Sequence, residues 1–192
     1  MRQEILNIIS IYFDEKNVFE LEFGGSKKIR QEIDRFIQQK GDWIDRFFYT
    51  ELRAKFSDFK FDAYLHKLYG DRCISIYVTK ETGLHVEHYM IGISIFGYFM
   101  VFRQDYNKIE KSKDDLDYHP DLPVRSIFED RVFLNEGENP FADEVFSITK
   151  RFYPELMWLP KDILTTTIRS LNIFSNRIPE ERIIYELLFI SN

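Results

Sequence analysis

Apolar positions along the chain change their period several times, and each change marks an element. Ile5, Ile8, Ile9 and Tyr12 fall at helical spacing and predict a first helix. Residues 17–23 (NVFELEF) alternate as a short strand closed by Gly24-Gly25. Ser26 then offers an N-cap, and Ile29, Ile33, Phe36 and Ile37 form the buried stripe of a second helix. Lys27 and Lys28 oppose its dipole. Gly41 can end that helix, and Asp42 can cap a third that buries Trp43, Ile44, Phe47, Phe48 and Leu52.

From Phe59 the period becomes two: Phe59, Phe61, Ala63 and Leu65 point one way, and Lys60, Asp62, Tyr64 and His66 the other. Gly70-Asp71 makes a turn, 72–79 a strand, Glu81-Thr82-Gly83 a turn, and 84–95 and 98–104 two further strands around Phe96-Gly97. Strands joined by such short turns make an antiparallel meander over about 59–104, with no βαβ unit. The first three keep a polar face. The fourth is apolar on both and belongs at the centre or under helices. Residues 105–123 are charge-dense and read as a long exposed loop. Asn139-Pro140 opens a helix with Phe141, Val145, Ile148 and Phe152 along one side and charges that suit its dipole. Beyond Pro179-Glu180-Glu181, a helix start, IIYELLFI also alternates as a strand, and both readings stand for residues 178–190.

These elements predict an α+β fold, the four-stranded meander packed with N-terminal and C-terminal helices, in a single domain over residues 1–192. No repeat or Pro/Gly/Ser linker divides the chain. A chain of 192 residues can bury enough surface to fold without metal or disulfide. Its 19 Phe, 11 Tyr and 2 Trp supply core, and half-exposed Tyr and Trp also favour interfaces. The single cysteine, Cys73, lies in an apolar strand and reads as a buried, inert thiol. The N-terminal apolar residues have helical spacing, unlike a secretory signal, and no stretch reaches the length of a membrane span. The expected compartment is the cytoplasm, with no membrane association. A net charge of −6 argues against nucleic acid as a partner and suits a basic one.

Candidate chemistry is sparse. His85 and Glu87 share a strand face while His88 points away, which leaves two possible metal ligands where zinc takes three or four. His66 could complete a set only if its strand approached, and polar residues on a half-exposed face explain the group equally. No G-x-S-x-G elbow is present, Cys73 has no evident base, and Gly24-Gly25-Ser26-Lys27 lacks the spacing of a phosphate loop. A calcium loop starting at Asp115 fails at its sixth position, Pro120. The expectation is therefore a protein that is not an enzyme, with no metal and no cofactor. The most suggestive stretch is acidic and aromatic: Asp114, Asp115, Asp117, Tyr118 and Asp121 could grip a basic cleft of a partner. Lys108, Lys111 and Lys113 nearby would instead make it a solvated, charge-balanced loop.

The hairpin HYMIGISIFGYFMVFR (88–103) and the closing IIYELLF (183–189) resemble bacterial immunity proteins of the polymorphic-toxin type. The two stretches make up about an eighth of the chain and carry no diagnostic motif. It implies a bacterial, cytoplasmic protein that neutralises a cognate protein toxin by binding, without catalysis. Two other classes compete: a hydrolase with dispersed active-site residues, and an oligomeric scaffold or regulatory module.

Overall fold

The computed structural model describes residues 1–12, 27–62, 73–111, 113, 124–168 and 182–189. Within them the fold is α+β, helices packed on a mostly antiparallel sheet. Strands β1 (Lys60–Asp62), β2 (Cys73–Thr82), β3 (His85–Ser94) and β4 (Tyr98–Arg103) form the expected meander, each antiparallel to the last. The β2–β3 turn sits one step later than its residues suggest. Glu81 and Thr82 stay in β2, and Gly83 takes the positive φ of 62° that the turn requires. Continuation of β1 past Asp62, the strand over 17–23, the cap at Ser26, and Pro179 lie outside the described residues.

The sheet is larger than a four-stranded meander. β5 (Tyr106–Glu110) pairs with β3 and with β6 (Val124–Phe128), β7 (Val132–Leu134) lies beside β4, and β8 (Met157–Trp158) joins β4 in parallel. The loop expected from Asp105 onward therefore begins as a strand. YNKIE shows little apolar alternation, and its pairing comes from the strands on either side.

Helices cover both faces of the sheet. On one face lie Ile76, Val78, Tyr89, Ile91, Phe99 and Val101, covered by α3 (Pro140–Phe152) through Phe141 against Tyr89 and Phe146 against Phe99. The α3 start follows the sequence: Asn139 Oδ1 accepts from the Ala142 N–H at 3.1 Å, with Pro140 next. The opposite face carries Met90, Gly92, Met100 and Phe102 and meets α5 (Ile184–Phe189), where Tyr185 lies beside Phe102. This double cover buries β3 from Tyr89 onward on both faces, so that half of β3 lacks the polar face expected of it. The tail resolves both readings: Arg182–Ile183 (β10) pairs with Thr167–Ile168 (β9), and Ile184 then starts the helix. A short α4 (Lys161–Leu164) precedes β9.

α1 (Arg2–Tyr12) buries Ile5 and Ile9. α2 (Lys27–Arg46) buries Ile29, Ile33 and Phe36 but leaves Ile37 exposed. It also runs through Gly41, where a break and a new cap at Asp42 were expected. Gly41 does not take a positive φ, and the helix absorbs the modest cost of one interior glycine. A π-helical turn, Phe47–Leu52, follows directly and ends with Leu52 fully buried.

Candidate partner-binding surface

β4 and β5 are two halves of one long strand. The register against β3 passes without a slip from Arg103 opposite Tyr89 to Asn107 opposite His85, and the Gln104 N–H donates to His88 O at 2.8 Å between them. Beyond the root, β5 and β6 continue as a hairpin whose last pair is Glu110 with Val124. The segment joining them carries Asp114, Asp115, Asp117, Tyr118 and Asp121, which lie outside the described residues. What is fixed is the anchorage of its two ends on paired strands.

The hairpin exposes apolar side chains on both faces. Ile109 and Ile127 share one face, while Phe128, 59% exposed, touches the Tyr106 ring on the other. Leu84 and Val132 are exposed as well. These residues are the part of the surface that sequence reading missed. Their signal was present in VRSIF, a β-branched and aromatic run directly after Pro123.

A polar ladder holds the hairpin root. Register places Glu87 directly opposite Asp105, two like charges that would repel. Arg103, two residues before Asp105, sits between them. Its Nε donates to Asp105 Oδ1 at 2.7 Å, its Nη2 to Oδ2, and Glu87 Oε1 lies 3.4 Å away. The guanidinium is held in its charged form, chiefly by Asp105. Tyr89 donates to Glu87 Oε2 at 3.1 Å and accepts from Asn139 Nδ2 at 3.4 Å, and burial raises its pKa. His85 Nδ1 lies 3.1 Å from Asn107 Oδ1, and its Nε2 lies 3.7 Å from Asp105. On the opposite face Glu81 accepts from Lys108 at 2.9 Å and from Lys60 at 3.2 Å, which lowers its pKa.

This arrangement accounts for His85, Glu87 and His88, while His66 lies outside the described residues. Glu87 is engaged by Arg103 and Tyr89, and His88 points to the other face and stacks on Tyr77. Among the described residues no group of three or more His, Cys, Asp and Glu is placed to hold a metal ion. The ladder's carboxylates already have cationic or hydroxyl partners, and its chemistry is that of a brace. Cys73 is buried, its thiol donating to Phe189 O at 2.7 Å. A groove of about 550 Å³ lies between the π-helical turn and α3, but Arg151–Glu51 at 2.6 Å and Lys55–Glu144 at 3.1 Å pair the charges along it. Among the described residues no helix is long and apolar enough to cross a membrane.

Comparison with protein-family models, curated proteins and solved structures finds no match to the chain.

Proposed function

We propose that the protein is a bacterial immunity protein, a non-catalytic inhibitor that binds a protein toxin in the cytoplasm and covers a basic active site. The observation that carries this reading is the braced hairpin. A strand anchored in a doubly covered core extends into β5 and β6, which present exposed Ile109, Ile127 and Phe128 next to the acidic connection. Desolvated aromatic and aliphatic anchors supply most binding energy at such interfaces, and opposite charge speeds encounter. Asp114, Asp115, Asp117, Tyr118 and Asp121 are the residues assigned to the contact, and the exposed Ile127 and Phe128 join them. A rigid base keeps the entropy cost of binding low.

Affinity co-purification from the native host, with mass spectrometry of the retained protein, identifies the partner. A single stoichiometric protein encoded beside this chain, with a basic toxin domain, is the expected result. Deletion of this gene beside an intact, expressed toxin with no loss of viability would sink the proposal.

A further inference from the structure

The outer edge of β6 has no strand beside it among the described residues. Its hydrogen-bonding groups can be assigned from the alternation of the ladder. The Glu129 N–H donates to Asp105 O at 2.8 Å, while the Lys108 N–H turns the other way, to Leu84 O at 2.7 Å. Ile127 and Arg125 therefore bond to β5, and Val124, Ser126 and Phe128 direct their backbone N–H and C=O outward. An open edge of this kind is a template for another strand.

We propose that this edge pairs with the same edge of a second copy, antiparallel about a two-fold axis through Ser126. That register sets Val124 against the second copy's Phe128 and Ser126 against the second copy's Ser126. Every facing pair of outward groups can then exchange both hydrogen bonds. Arg125 falls opposite Ile127, so no like charges meet directly. The strand is lightly guarded for an edge, with Arg125 as its one charge and no Pro, and its Ile127 and Phe128 are exposed. Five paired residues with these side chains cover less than the roughly 1,200–2,000 Å² of a standard interface, so the dimer is transient and concentration-dependent. The inference needs no toxin, but it shares Ile127 and Phe128 with the proposed toxin contact, so a second copy and the toxin would compete for this strand.

Sedimentation velocity of the full chain from low micromolar to submillimolar concentration tests it, with amide exchange at both extremes. Reversible dimerisation is expected. The Val124, Ser126 and Phe128 amides should be slow at high concentration and fast on dilution, and Ile127 slow throughout. Ser126→Pro removes an outward N–H while sparing the ladder to β5, and should weaken dimerisation by about tenfold or more because it acts twice in a two-fold interface. Phe128→Lys, at an exposed position, should do the same if the proline variant fails to fold. A chain monomeric at all concentrations would overturn the inference. So would a dimer unaffected by both changes, or edge amides protected only when the co-purified toxin is added.

Discussion

At the residue scale, contacts in the sheet interior leave little tolerance. A Cβ at Gly92 would stand 2.6 Å from Met100 Cε and 2.7 Å from Phe189 Cδ1, so the glycine admits α5 against β3. Gly92→Ala should cost about 1–3 kcal/mol in urea unfolding, because both neighbours must shift in a packed layer. At the hairpin root, Asp105→Asn removes the charge that Arg103 neutralises on the buried side, while Glu87 remains as its partner. The expected loss is about 1–2 kcal/mol, the worth of charge-assisted bonds discounted for the partly exposed guanidinium, and the same unfolding measurement checks it. His85 and Glu87 were legible as sharing a strand face, since strand parity needs only their spacing. Their partners were not. Arg103 and Asp105 lie at the end of an apolar strand and the start of a polar run, and only the uninterrupted β4–β5 register brings them opposite.

At the element scale, patterns with strong periodicity translated directly, and those that rely on neighbours did not. α1, β2 to β4 and α3 carry their own alternation or caps. β5 owes its existence to pairing across the sheet, and Tyr106–Glu110 looks like loop when read alone, whereas β6 carries a signal of its own in VRSIF. Gly41 illustrates the opposite error: a residue that often ends helices lies here inside a continuous one. Its would-be Cβ meets only Ile37 Cγ2 at 3.9 Å, so Gly41→Ala should stabilise the protein by about 0.5–1 kcal/mol, seen as a raised urea midpoint at unchanged slope. Phe99 on central β4 is fully buried between Phe146 and Trp158, and Phe99→Ala should cost about 3–5 kcal/mol by the same assay. The Lys60–Glu81–Lys108 contacts tie β1, β2 and β5 together. Because the folded Glu81 titrates below the ordinary carboxylate value of about 4.3, its contribution is present above that pH and lost as pH falls through the lower folded value. Acid unfolding of Glu81→Gln should lack that component.

For the molecule as a whole, the immunity reading rests on the division between a doubly covered core and a hairpin that leaves it. Neutralising Asp114, Asp115 and Asp117 together should leave stability within about 0.5 kcal/mol per residue, since their charge-dense stretch reads from the sequence as an exposed loop. It should slow toxin association and flatten its salt dependence in stopped-flow measurements. Unchanged kinetics would move the contact away from this segment. The acidic character of the stretch was legible from composition alone. The braced strands that carry it were not, because no local pattern announces a hairpin whose root is held by groups from three strands and a helix cap.

The double cover of β4 also has a consequence in time. As the chain leaves the ribosome, the meander can pair among near neighbours, but the face carrying Met90, Met100 and Phe102 waits for Tyr185 and Phe189. About eighty residues must be added between Arg103 and Ile184, which at about 5–20 residues per second takes roughly 4–16 s. For those seconds the nascent protein lacks the α5 cover of this sheet face. Its yield in the cell should thus depend on chaperones that hold such surfaces during synthesis.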